Sequence, residues 1–164
     1  KGGTAKTTTA INFAANLAFR KKKVLLVDMD FQANATFGSG VDGRTRKNSL
    51  YNGLTPDHRY RCDIKDAILH TKYFDILPAD KDVMDLQIEV KETTALRGLL
   101  KTVESSYDYI VIDQPPALNT IALNGFVAST HIIIPAEPKP FNFTGMVDMK
   151  ETIDTVREKQ NPAL

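Results

Sequence analysis

The sequence lacks most of the residue groupings that announce a metal centre, a disulfide frame or a membrane address. Cys62 is the only cysteine. That excludes an intrachain disulfide and a cysteine-ligated cluster held within one chain, and it points to a reducing, cytosolic setting. Of the three histidines, His58 and His70 have no second ligand at metal spacing and read as surface residues, and His131 reads as the start of a strand. No apolar run approaches the ~20 residues that cross a bilayer. The formal net charge is only +1, so no global field marks a nucleic-acid binder. Any DNA contact must come from a local patch or from a dimer surface. Internal repeats and low-complexity segments are absent as well.

What is present is the composition of one globular domain: 164 residues, 42% hydrophobic and 25% charged, enough chain to bury a real core. Its chemistry is concentrated in the first nine residues, Lys1-Gly2-Gly3-Thr4-Ala5-Lys6-Thr7-Thr8-Thr9. A phosphate-binding loop has the form Gly, four residues, Gly-Lys-[Ser/Thr]. Its backbone N–H groups cradle phosphates, its Lys reaches the outer phosphates and its hydroxyl meets Mg²⁺. Lys6 and Thr7 take the last two places, and a helix beginning near Thr7 aims its positive end at the anion. Two residues depart from the pattern. Lys1 stands at the first Gly and Ala5 at the second, where a positive φ would strain it and a negative φ would suit it.

Downstream, strand-like and helix-like patterns alternate, which argues for βαβ units and a parallel sheet. Apolar spacing predicts a helix from Thr8 to about Arg20, closed by Arg20-Lys21-Lys22-Lys23, either a solvated helix end or a DNA-contacting patch. Val24–Val27 reads as a strand buried on both faces. It runs into Asp28-Met29-Asp30-Phe31-Gln32-Ala33-Asn34, carboxylates at the carboxyl end of a strand where open α/β sheets bind ligands. Strand alternation places Asp28 and Asp30 on the same side. Residues 35–62 are Gly-punctuated and basic, with Arg44, Arg46, Lys47, Arg59 and Arg61, and a short helix is expected around Ser49–Leu54. Further expectations are a helix over Asp63–His70 and a strand over Tyr73–Leu77. Two helical pieces broken near Thr93-Thr94 follow, then a helix over Thr120–Ala128, a buried strand over His131–Pro135 and a helix over Thr144–Lys159.

The second strong motif is Tyr107-Asp108-Tyr109-Ile110-Val111-Ile112-Asp113-Gln114-Pro115-Pro116. An apolar strand ending in one Asp is what a Mg²⁺ site opposite a phosphate loop requires, since Mg²⁺ keeps several waters and takes few protein carboxylates. Asp108, at the far end of the strand, is assigned no chemistry.

Three ordered motifs, Lys-Gly-Gly-x-x-Lys-Thr-Thr, Asp-x-Asp-x-Gln and Tyr-Asp-x-x-x-x-Asp-x-Pro-Pro, together resemble the ParA/MinD superfamily, and ParA/Soj-type partition ATPases in particular, over almost the whole chain. The resemblance implies an α/β fold of the P-loop NTPase kind, a three-layer sandwich with a mostly parallel central sheet flanked by helices. It implies ATP/ADP and Mg²⁺ as cofactors, nucleotide contacts along Lys1, Gly2, Gly3, Thr4, Ala5, Lys6, Thr7 and Thr8, and Mg²⁺ held by Thr7 and Asp113. Lys1, Lys6 and Asp30 become the catalytic set: Lys6 on the outer phosphates, Asp30 on the attacking water, Lys1 acting in trans across an ATP-dependent homodimer. Implied partners are a ParB-type centromere-binding protein and non-specific DNA, with no membrane, in the bacterial cytoplasm at the nucleoid. The task implied is plasmid or chromosome partitioning.

Phe31 and Ala33 stand where that family usually has Pro and Gly. A MinD-like cell-division regulator is the nearer alternative; it calls for a C-terminal amphipathic helix that this sequence does not contain, and Gln32 and Asn34 favour the partition branch. The other alternative is a non-hydrolysing interaction module of the same fold, motivated by Ala5 and by the strand that ordinarily precedes a phosphate loop. That strand, and the family's C-terminal part, are expected to lie outside these 164 residues.

Overall fold

A computed structural model of the chain describes residues 5–42, 47–136 and 142–164, with the side chains of residues 142–144 excepted. At its centre is strand β1 (Val24–Asp28), five residues buried without exception. A continuous apolar run has this fate when both faces of a sheet are covered. Alternate residues feed two cores, as a period of two requires. Val24 and Leu26 pack with Ala10 and Ala14 of helix α1 (Lys6–Phe19). Leu25 and Val27 pack on the other face with Leu50, Leu96 and Ile121. Helix, sheet and helix thus make three layers.

Among the described residues four strands order as β2-β3-β1-β4, where β2 is Leu69–His70, β3 Asp75–Leu77 and β4 Tyr109–Asp113. Strand β1 runs parallel to both β3 and β4, and β2 pairs antiparallel at the edge. The register of β1 with β4 sets Asp28 opposite Asp113. Both carboxylates therefore emerge at the same, carboxyl end of the sheet. Helix α1 returns to this end because the chain enters it at Lys6, and its far end closes at Phe19 with Lys21 in the left-handed region at φ 62°. Lys22 N–H donates to Leu17 O, the usual satisfaction of an orphan carbonyl at a helix end. Arg20 to Lys23 are all exposed.

Helix α2 (Asn34–Gly38) lies on the α1 face, where Ala35 packs with Ala10 and Ala14, and the helices of the second face are short: α3 (Leu50–Leu54), α4 (Ile64–Ala67), α5 (Leu86–Glu89) and α6 (Ala95–Lys101). Side chains start several of them. Ser49 and Asn52 form a reciprocal capping box on α3, and Asp63 caps α4. Helix α7 (Thr120–Ala128) is capped by Asn119 and locked inside by Asn124, which accepts from Leu96 N–H and donates to Glu92 O. Helix α8 (Asn142–Lys159) follows, and beyond it Asn161 donates to Val127 O and Ser129 O, tying the end of the chain to α7.

Three expectations need correction. The helix over Asp63–His70 stops at Ala67, because Leu69 and His70 are taken by the antiparallel edge pairing with β3. The strand over Tyr73–Leu77 is only Asp75–Leu77; Thr71 Oγ1 donates to Phe74 O in the turn that feeds it. Residues 131–136 form no strand, and Ile133 is 62% exposed. A strand exists only against a neighbour about 4.8 Å away. Here a groove of about 940 Å³, lined by β4 on one side and Ile132 and Ile133 on the other, separates this segment from the nearest strand. Among the described residues β4 is a sheet edge, which is why Ile110, Val111 and Ile112 are only half-buried.

Candidate nucleotide and magnesium site

The carboxyl ends of β1 and β4 and the first turn of α1 converge on a few polar groups. Lys1, Gly2, Gly3 and Thr4 lie outside the described residues. The trans role expected for Lys1 and the phosphate contacts expected of these four carry no structural account. From Ala5 onward the site is visible. Ala5 precedes the helix with φ 60° and ψ 22°, in the left-handed region. Of the two conformations open to that position, the chain takes the one that strains alanine and suits glycine. It does so because the chain must turn sharply to send Lys6 and Thr7 into the first turn of α1.

Asp113 is 2% exposed. Burial pushes its carboxyl up to about 6, the nearby charges of Asp28 and Asp30 push the same way, and the Thr7 hydroxyl and the Lys6 ammonium oppose them. The groups that sequence reading named for the metal, Thr7 and Asp113, are thus brought together, with Lys6 beside them. Oδ2 of Asp113 is buried with no hydrogen-bond partner among the described residues. A desolvated carboxylate with an oxygen unpartnered among the described residues has the chemistry to take a cation. Its neighbour Gln114 has a buried Oε1 without a partner among the described residues, and its side chain occupies the space that Gly125 of α7 leaves open.

Asp28 is fully buried and its carboxyl is also raised, by burial first. Three donors offset the cost of placing it there: Asp30 N–H at 3.1 Å, Thr36 N–H at 2.8 Å and Thr36 Oγ1–H at 2.8 Å. The strand ends at Asp28, so the alternation expected to carry Asp28 and Asp30 to one side stops there. Residues 29–33 turn instead. Asp30 is half-buried, Gln32 N–H donates to its Oδ1 at 3.0 Å and Ala33 N–H to its carbonyl at 2.8 Å. Ala33 then sits at φ 55°, a second alanine in the left-handed region.

Thr36 is the residue that sequence reading missed. Its hydroxyl gives its proton to Asp28 and accepts from Ala79 N–H at 3.0 Å, across to the loop after β3. Nothing in periodicity marks it; only the presence of a fully buried Asp in need of donors does. Asp108 accepts from Lys23 N–H at the far end of the sheet. His70 is exposed and pairs with Asp75 at 2.6 Å. Among the described residues no group of three or more His, Cys, Asp or Glu is placed to hold a metal ion.

Comparison with known proteins places this geometry among nucleotide-binding folds. A family model described as an AAA domain matches residues 1–164. An uncharacterised protein of Pseudomonas putida is 41% identical over 171 aligned positions that cover 100% of this chain and 63% of the relative. The chromosome partitioning protein ParA of Myxococcus xanthus is 35% identical, covering 100% of the chain and 59% of the relative. The chain therefore spans about three fifths of the length of these relatives. Among solved structures, cobyrinic acid a,c-diamide synthase of Mycobacterium smegmatis with a bound ATP analog and magnesium superposes with a TM-score of 0.90 at 31% identity, covering 100% of this chain and 68% of that one.

Proposed function

Because the chain belongs to the AAA domain family, in its ParA/MinD branch, we propose that it binds ATP with Mg²⁺ and hydrolyses it as a dimeric switch in chromosome or plasmid partitioning. The fold is of the nucleotide-binding ATPase type; turnover by these residues is the proposal. The observation that carries it is the convergence of Lys6, Thr7 and Asp113 at the carboxyl end of the sheet, with Oδ2 of Asp113 facing no donor among the described residues. Those residues fit Mg²⁺: one hydroxyl and one buried carboxylate, leaving room for the waters the ion retains. Mg²⁺ bound with ATP supplies charge neutralisation across the outer phosphates.

The protein's own groups do the rest. Lys6 pairs with the outer phosphates, and the amides of the first turn of α1 face the anion. Asp113 and Thr7 orient the ion's shell. Asp30, held in the turn that follows β1, accepts the hydrogen bond of the attacking water and fixes its line of approach. Such catalysis is positioning and electrostatics, with no covalent step to perform. Lys1 completes the site of a partner copy in the ATP-bound dimer. ATP favours the dimer and hydrolysis releases it, a population shift driven by the different affinities of the two states. Non-specific DNA and a centromere-binding ParB-type protein are the partners this reading assigns, in the bacterial cytoplasm at the nucleoid.

A second reading, a non-hydrolysing module of the same fold, is favoured by one observation, the strained Ala5 at the head of α1. Measured phosphate release with and without DNA separates the two. ATP-dependent release, lost in Lys6→Ala, supports the switch; binding of a fluorescent ATP analogue without release under every condition supports the module.

A further inference from the structure

We infer that Asp28 and Thr36 are positioning residues that clamp the Asp30 turn and couple it to the loop after β3. The consequence for turnover rests on the ATPase reading above; the clamp itself rests on geometry alone.

Asp28 is a completely buried carboxylate at the end of the central strand. Its two oxygens take donors from the two ends of one segment: Asp30 N–H on Oδ1, and the amide and hydroxyl of Thr36 on Oδ2. The chain between those ends carries the catalytic candidate. Within it, Asp30 is committed twice more, its carbonyl to Ala33 N–H and its carboxylate to Gln32 N–H. The turn is thus closed at both ends by one side chain, and Asp30 lies inside the closure.

Thr36 is also fully buried, and its hydroxyl has a single proton. That proton goes to Asp28, so the oxygen is left as an acceptor for Ala79 N–H. Ala79 follows Pro78, whose carbonyl accepts from Leu50 N–H at the start of α3. A chain of bonds therefore runs from α3 through the end of β3 and Thr36 to Asp28 and the Asp30 turn. Apolar residues would fill this volume at less desolvation cost. What a Thr–Asp pair adds is a fixed location for the backbone at residues 30–36.

The test compares Thr36→Val, which keeps the shape and loses the hydroxyl, with Thr36→Ser, which keeps the hydroxyl, and uses Asp28→Asn as a second break in the same clamp. ATP turnover and amide hydrogen exchange are read on each folded variant. Thr36→Val is expected to lower kcat by about tenfold or more with KM for ATP unchanged, the mark of an interaction that matters in the transition state. The amides of Gln32, Ala33 and Ala79 should exchange about tenfold faster, while those of Leu26 and Val27 stay protected. Thr36→Ser should restore both readouts to within about twofold, and Asp28→Asn should follow Thr36→Val in direction. Wild-type exchange at residues 32, 33 and 79 in Thr36→Val would overturn the clamp. So would equal loss in Thr36→Val and Thr36→Ser, which means packing alone. If the parent protein shows no turnover at all, the ATPase reading falls, and the exchange pattern still decides the clamp.

Discussion

Replacing Asp113 by Asn should stabilise the nucleotide-free protein at neutral and alkaline pH while destroying its response to Mg²⁺. The folded-state carboxyl stands at about 6 against an ordinary value of 3.8. A difference of about two pH units corresponds to about 3 kcal/mol between the two protonation states. The folded state holds this proton more tightly than the unfolded chain. The contribution is therefore fully present below about pH 4 and is lost as pH rises through about 6. Asn cannot ionise and escapes that loss. Burying an amide in place of the acid costs something at every pH, so the net advantage of Asp113→Asn at pH 8 should be about 1–3 kcal/mol, shrinking towards zero or below near pH 4. Urea unfolding of both proteins across this range, in the presence of a chelator, reads the difference, which includes the coupling of Asp113 to Asp28 and Asp30. With ATP and Mg²⁺ added, the parent should gain stability and Asp113→Asn should not. A difference that does not change with pH would refute the claim that a strained, desolvated carboxylate occupies the metal position.

Two alanines in the left-handed region offer a complementary test. Ala5→Gly and Ala33→Gly each relieve about 1–2 kcal/mol of backbone strain and lose part of it to the greater unfolded-state entropy of Gly. Each should raise stability by roughly 0.5–1 kcal/mol in chemical denaturation. Ala5→Gly should in addition tighten binding of a fluorescent ATP analogue; unchanged affinity would separate backbone strain from the nucleotide site. In the core, Leu26→Ala removes a side chain with 0% exposure between the sheet and α1, and should cost about 2–5 kcal/mol. The same truncation at Ile133, 62% exposed, should cost well under 1 kcal/mol, the size of a surface change.

The parts of the fold legible in the sequence were those fixed by local pattern. The unbroken Val24–Val27 run, the Ile110–Ile112 run and the helical apolar spacing from Thr8 to about Arg20 each predict their own burial or pairing, and the central sheet follows. The placement of Lys6, Thr7, Asp28 and Asp113 was legible because strand ends and a helix start determine where they emerge. What stayed illegible depends on neighbours distant in the chain. Ile132-Ile133-Ile134 has every intrinsic property of a strand, yet pairing is decided by what lies beside it, and a groove lies there. Leu69 and His70 join a sheet edge instead of a helix because β3 is at hand. The conformation at Ala5 and Ala33 runs against residue type, since alanine disfavours the left-handed region; the turns that deliver Lys6 and Asn34 to their helices impose it. Thr36 was invisible for a similar reason. Its importance comes from Asp28, eight residues away, and from Ala79, forty-three away.

The central claim is that this constellation turns over ATP, and the most direct measurement is phosphate release by the parent protein beside Lys6→Ala and Asp30→Ala, with nucleotide binding followed in parallel. The account predicts slow, Mg²⁺-dependent release in the parent, loss of both binding and release in Lys6→Ala, and binding without release in Asp30→Ala. Release that persists in Asp30→Ala, or a parent that binds ATP and never hydrolyses it, would contradict the account.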